Sequence, residues 1–570
     1  MVESPVALAL VGYRAALAGV RLPFALPGRD ETQAGVRAQL AQLDDYILPR
    51  LADQDAPLLA VVSGPTGAGK STLVNSIAGR VVSDAGVIRP TTLAPVLVHH
   101  PADAQWFTSD RILPGLARGT QPTHDPRTVQ LVADTALPPG IAFVDAPDID
   151  SVVTQNRQLA SQLLAAADLW LFVTTASRYA DAVPWGFLRG ASERDAVVAV
   201  VLDRVPAAAL AEVPGHLRQM MAEAGLGGAE LFVVPESELD GHNLLPVAAV
   251  EPIRRWLAEL ARDAQARARV VNQTLGGAID ALMRQAPAVA DAATEQADCL
   301  DRLRGDAEAG YREAIDRVAE QTSNGVLMRG EVLARWQDFI GTGEFLRSVE
   351  QKIGWFRDRV GGVLRGEPKQ AAQVQVAVET GLEVLIREAG ESAARRVAGA
   401  WDADPGGREL RVRELNRPSP DFPRDVERAI RAWQGDVLAL VTETGASKRA
   451  RARFLALGVN GVGVALMILV FSQTGGLLGA EIGIAGGTAL LAQKLLEAVF
   501  GDDAVRRLTK QAKRDLDARV EGVLAGELSR YLRVLDEVDL PVGVAGRVRD
   551  AGAAVAVARE LGPKGVSRDA

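Results

Sequence analysis

Eight residues offer the clearest chemistry in the chain: Gly64, Pro65, Thr66, Gly67, Ala68, Gly69, Lys70 and Ser71. Their spacing is GxxxxGK[ST], and they stand between the apolar run 58–62 and the helical run 72–78. Glycines let successive backbone N–H groups turn inward around a β-phosphate. Lys70 brings a point charge to the β and γ oxygens, and Ser71 offers a hydroxyl to Mg²⁺. A helix that starts near Lys70 directs its positive dipole end at the same anion. The pattern predicts a nucleoside triphosphate site built from Gly64, Thr66, Gly67, Ala68, Gly69, Lys70, Ser71 and Thr72.

Further parts of such a site follow downstream. The apolar strand 141–144 ends in Asp145, the usual place for a carboxylate that holds Mg²⁺ through water. Arg89, Pro90, Thr91 and Thr92 lie about twenty residues after Lys70, ahead of another strand. A threonine there suits a switch loop that ligates Mg²⁺ and orders on the γ-phosphate, with Thr92 the first choice and Thr91 the second. After Asp145 come Ala146, Pro147 and Asp148 where a GTPase carries DxxG, so Asp148 replaces a glycine and brings a negative charge toward the phosphate. The strand 197–202 runs into Asp203, Arg204, Val205 and Pro206, where GTPases place [NT]KxD to read guanine. Arg204 keeps the basic residue and a stem able to stack on a base. Asp203 offers an acceptor, while Pro206 replaces the terminal Asp. The loop 234–237 is a candidate cover for base or ribose. The five histidines show no metal-ligand spacing, and Cys299 is the lone cysteine, so no internal disulfide exists and a small buried side chain is expected.

These residues need a scaffold. A chain of 570 residues exceeds one core, so two to four domains are expected. Aromatics are only 5 %, and Ala, Val, Leu and Arg abound, which favours helices. A net charge of −9 argues against nucleic acid as the main partner. The first residues lack a basic signal region. Residues 1–55 read as helical and are expected to pack with a helical bundle. From 56 to 255, strands at 58–62, 95–99, 128–132, 141–144, 169–174, 197–202 and 231–234 alternate with helices, including 156–167 and 207–224. That alternation predicts an α/β domain with a mostly parallel sheet flanked by helices. From 256 to 450 the apolar spacing is helical, a bundle or stalk. Trp336, Phe339 and Phe345 fall on such a helical face and are expected in the core.

Between Arg453 and Lys494 the only charged side chain is Glu481. Two apolar arms, 454–471 and 475–493, flank Ser472, Gln473 and Thr474. Eighteen helical residues span ~27 Å, close to the ~30 Å hydrocarbon core. Basic flanks (Lys448, Arg449, Arg451 and Arg453, then Arg506, Arg507, Lys510, Lys513 and Arg514) predict a membrane hairpin over 451–500 with both termini cytoplasmic. Gly475, Gly479, Gly483 and Gly487 bare one face for close helix approach. The alternative is a hairpin buried in the bundle, which Glu481 and Asn460 favour because polar groups are costly in lipid. Residues 501–570 read as a helical return and tail.

In this order of parts the chain resembles a bacterial dynamin-like protein of actinobacterial type. The resemblance is carried by 64–71, Arg89 to Thr92, Asp145 to Pro147, the long helical part and the Gly-rich hairpin. It implies GTP hydrolysis with Mg²⁺, homodimerisation through the G domain, assembly on phospholipid at the cytoplasmic face of the cell membrane, membrane remodelling, and a possible second dynamin-like partner. Eukaryotic dynamins carry a Gln-Ser pair where Thr66 and Gly67 stand. The expected chemistry is in-line attack of water on the γ-phosphate. Lys70, the loop amides and Mg²⁺ on Ser71 and Thr92, with Asp145 behind, neutralise the developing charge. Two alternatives are a nucleotide-binding membrane scaffold with little turnover and an ABC-type ATPase. The latter lacks an LSGGQ-like signature here, and Ala146 stands where it needs a catalytic Glu.

Overall fold

The computed structural model describes residues 4–53, 55–83, 94–123, 125–151, 154–325, 327, 330–340, 368–410, 412–445, 451–472 and 484–561. Two compact units emerge: 1–22, 28–295 and 541–570 form the first, and 23–27 with 296–540 form the second.

The first unit is organised by an eight-stranded sheet. In chain order its strands are β1 (Leu58–Ser63), β2 (Val96–His99), β3 (Ala117–Gly119), β4 (Thr128–Ala133), β5 (Ile141–Asp145), β6 (Leu169–Thr175), β7 (Val197–Val205) and β8 (Glu230–Pro235). Their spatial order is β3-β4-β2-β5-β1-β6-β7-β8. All neighbours are parallel except β2 and β5, so a block of three parallel strands meets a block of five at one antiparallel seam. β1 and β6 are buried along their whole length, as expected for strands covered on both faces. Alternate residues divide between two cores. Leu59, Val61, Val144, Trp170 and Phe172 point into one, and Leu58, Ala60, Val62, Phe143 and Leu171 into the other.

The first of those cores is also lined by helices remote in sequence. Pro5–Ala18 packs on the C-terminal helix Val544–Leu561, which Arg549–Asp291 and Arg559–Asp280 pairs join to the early part of the helix Ala264–Ser323. Arg50, from the short helix Leu48–Ala52, is buried in an ion pair with Asp168. That carboxylate also accepts from Tyr46 Oη at 3.1 Å and from the backbone N–H of Leu59 at 2.8 Å. The pair fastens the N-terminal helices to the entry of β1 and β6.

The second unit is all helical. Its core gathers Trp336, Trp401, Trp433, Tyr311 and Tyr531, all fully buried, with Phe339 packed alongside; Phe345 lies outside the described residues. Cys299 is buried here, its thiol pushed up to about 11 by burial.

The described residues do not support the expected membrane hairpin as a span. Among the described residues no helix is long and apolar enough to cross a membrane. Within Arg451–Phe471, residues 461–471 are buried in the second unit's core, against Pro368–Ala403, Phe422–Gly445, Ile484–Phe500 and Asp502–Asp536. Phe471 sits 5.6 Å from the Trp433 ring. A helix apolar on all sides must be surrounded by apolar matter, and here the neighbouring helices supply it. The tip 473–483, with Glu481, lies outside the described residues, as do Lys448 and Arg449.

Candidate nucleotide site

β1 delivers the loop 64–69 at its C-terminal end, between β5 and β6, and Lys70 opens the helix Lys70–Ala78. Two glycines are steric requirements. A side chain on Gly64 would run into the carbonyl of Val173, and one on Gly69, at φ 95°, into the carboxylate of Asp203. The backbone therefore passes closer to its neighbours than any other residue permits, as a loop wrapped around a phosphate demands.

Lys70 is 6 % exposed. Its Nζ donates to the carbonyls of Gly64 at 3.1 Å and Pro65 at 3.2 Å, and forms an ion pair with Asp148. Beside it, Val62 is in register with Asp145, which ends β5 fully buried. Ser71 Oγ and Ser83 Oγ each donate to Asp145 Oδ2 at 2.6 Å. Asp145 Oδ1 has no hydrogen-bond partner among the described residues. Burial pushes this carboxyl above the ordinary carboxylate range, against the pull of both serines and Lys70. Ser83 is positioned by Asn75, whose Oδ1 accepts from the N–H groups of Val82 and Ser83, both at 2.8 Å.

The residues after β5 lie along the loop. Ile149 N donates to the Gly64 carbonyl at 3.4 Å, and Asp150 Oδ1 accepts from Thr66 N and Thr66 Oγ1, both at 2.7 Å. Arg178 closes this network, donating to Asp150 Oδ2, the Thr66 carbonyl and Asp181, each at 2.8 Å. Burial pushes Asp150 upward, but the Thr66 and Arg178 hydrogen bonds outweigh it and hold the carboxyl below its ordinary range.

On the opposite side, the pairing of β7 with β8 shifts register between Leu202 and Val205, a bulge that re-aims the intervening residues. Within it Arg204 takes φ 53°, a costly conformation for a non-glycine residue. Its guanidinium reaches the Gly67 carbonyl, while Asp203 is buried beside Gly69 and burial raises its carboxyl.

The structure thus brings together Gly64, Thr66, Gly67, Ala68, Gly69, Lys70, Ser71, Thr72, Asp145, Asp203 and Arg204. Thr91 and Thr92 lie outside the described residues. Motif spacing did not reveal Ser83, Asn75, Asp150 or Arg178. Only the run of carboxylates after Asp145 could have hinted at Asp150.

Mg²⁺ fits what is present. A buried carboxylate oxygen without a partner and an adjacent serine hydroxyl are hard oxygen donors. No cluster of three His, Cys, Asp or Glu side chains forms a metal site among the described residues. Mg²⁺ commonly takes one or two carboxylates and completes its shell with water and phosphate.

A doubly covered sheet with a glycine-rich loop between strand and helix is a phosphate-loop architecture. No protein-family model matches the chain, and no curated protein does. Three solved structures are similar in outline. Two belong to an oligomerised bacterial dynamin pair described as a mechanism for long-range sensing and tethering of membranes. One is 8 % identical over 95 % of this chain and 96 % of its own, with a TM-score of 0.43; the other is 10 % identical over 98 % and 94 %, with 0.37. The third, the bacterial dynamin GTPase LeoA from ETEC, is 11 % identical over 97 % and 96 %, with a TM-score of 0.24. These neighbours are bacterial dynamin-like proteins. At such identities and TM-scores they carry no functional argument.

Proposed function

We propose that the chain is a dynamin-like nucleoside triphosphate hydrolase that prefers GTP, uses Mg²⁺ and works at a membrane surface. The observation that carries this reading is the buried Lys70 within the glycine-shaped loop, beside the Ser71–Asp145 pair. Lys70 and the loop amides hold the β- and γ-phosphates, and Arg204 and Asp203 flank the base. Ser71, Thr92 and Asp145 hold the Mg²⁺, which when bound neutralises charge on the phosphate oxygens. Contact with lipid is proposed as surface association rather than a span. Its support is the apolar residues Leu477, Leu478, Ala480 and Ile482 in the sequence 475–483 and the exposed cations Arg507, Lys510 and Arg514, which suit an anionic bilayer. Self-association through the nucleotide domain, or pairing with a second dynamin-like chain, belongs to the same reading.

The test measures phosphate release from GTP and ATP, with and without anionic vesicles, beside Lys70→Ala. GTP turnover raised by vesicles and lost in Lys70→Ala is expected. Preference for ATP would overturn the guanine assignment, and indifference to vesicles the lipid coupling. Binding without release would favour the scaffold reading, which the carboxylate of Asp148 on Lys70 keeps in view.

A further inference from the structure

We infer that Asp148 is a specificity-determining residue, discriminating triphosphate from diphosphate by competing with the γ-phosphate for Lys70. This rests on the nucleotide reading above and deepens it. An ammonium has three protons to donate. Those of Lys70 meet the Gly64 carbonyl, the Pro65 carbonyl and the Asp148 carboxylate. The two carbonyls belong to the loop that wraps the phosphate. Asp148 belongs to the segment that follows β5, and its anionic oxygen has the chemistry of a phosphate oxygen.

A second contact of the same kind lies two residues on. Asp150 takes the backbone N–H and the hydroxyl of Thr66, donors of the sort a phosphate seeks. One short stretch therefore places two carboxylates on two phosphate-seeking groups of the loop. Their anchorage differs: Asp150 is tied back by Arg178, which also holds the Thr66 carbonyl, whereas Asp148 reaches the ammonium at the end of β5.

The difference matters for which nucleotide state is favoured. In a phosphate loop the backbone amides cradle the β-phosphate, so a γ-phosphate would add its charge beyond them, toward the Lys70 ammonium that Asp148 engages. With a triphosphate, Asp148 must leave Lys70 or face a like charge at short range. With a diphosphate, Lys70 can turn a proton from a loop carbonyl to the β-phosphate while its pair with Asp148 persists. Removing the charge of Asp148 should therefore tighten triphosphate far more than diphosphate.

The experiment uses the full chain with Mg²⁺ and measures equilibrium binding of a fluorescent non-hydrolysable GTP analogue and of fluorescent GDP. Wild type is compared with Asp148→Asn, Asp148→Glu and Lys70→Ala, each shown to be folded by its melting transition. Asp148→Asn is expected to tighten the triphosphate analogue about tenfold, the scale of one charge-assisted hydrogen bond, and to leave GDP nearly unchanged. Asp148→Glu, which keeps the charge, should not tighten it. Equal change for both nucleotides, no change, or tightening in both Asp148 variants would overturn the inference while wild-type binding left the functional reading standing. Failure of folded wild type to bind either nucleotide would remove that reading and the inference together.

Discussion

Asp145 stands fully buried at the end of β5, with one oxygen on two serines and the other without a partner among the described residues. Burial raises its carboxyl above the ordinary value of 3.8, so keeping it ionised costs folding free energy. The sign follows: stability conferred by this group is present below the unfolded value and lost as pH rises through the higher folded value. Asp145→Asn keeps an acceptor for Ser71 and Ser83 without the charge. Its melting temperature at neutral pH should exceed that of wild type, the gain vanishing as pH falls below about 4, while Mg²⁺-dependent nucleotide binding weakens. A lower neutral-pH melting temperature would contradict the assignment. At this scale the sequence was readable where spacing is short. Lys70, Ser71 and the strand-ending Asp145 declare themselves, because a loop and its flanking strand are local. Arg178 lies 112 positions from Thr66 yet donates to its carbonyl, and no local pattern predicts that meeting.

At the level of elements, the buried Arg50–Asp168 pair shows how the helices before β1 are fixed to the sheet. Burial lowers the Arg50 pKa, but Asp168 overcomes this and holds it above the ordinary value. Asp168→Ala would leave the buried guanidinium without its carboxylate, donating still to the carbonyls of Ala56 and Pro57, and would strand the Tyr46 hydroxyl and the Leu59 N–H. Loss of about 3 to 5 kcal/mol is expected, the usual range when one partner of a buried pair is removed, measurable by urea unfolding followed at the first unit. A loss under about 1 kcal/mol would mean an exposed, weak pair. Seven of the strands were visible as apolar runs rich in β-branched residues. β3 was not, because Ala117, Arg118 and Gly119 carry no β signature and join the sheet only through β4. The antiparallel seam between β2 and β5 was equally hidden. Strands buried on both faces read as continuous apolar runs, and such a run does not encode its direction.

For the whole molecule, the apolar stretch 461–471 decides how the second unit holds together. Ile468 is fully buried in its core. Ile468→Asp should destabilise the lipid-free protein by more than about 3 kcal/mol, since an unpaired charge would enter an apolar interior. Unchanged lipid-free melting would show that this segment is not part of the folded core. Hydropathy alone cannot separate the two environments, because a helix surrounded by helices and one surrounded by acyl chains need the same side chains. What the sequence determined by itself was the short-range chemistry: the phosphate-loop glycines, Lys70, Ser71, the strand ending in Asp145, and the succession of an α/β region by helices. Those features rest on contacts within a few residues, where backbone geometry and side-chain type suffice. Only the tertiary structure decided that Asp148 meets Lys70, that Arg178 and Asp150 grip Thr66, and that 461–471 is enclosed by protein. Each depends on segments distant in sequence competing for one partner or surface, and only packing resolves such competition.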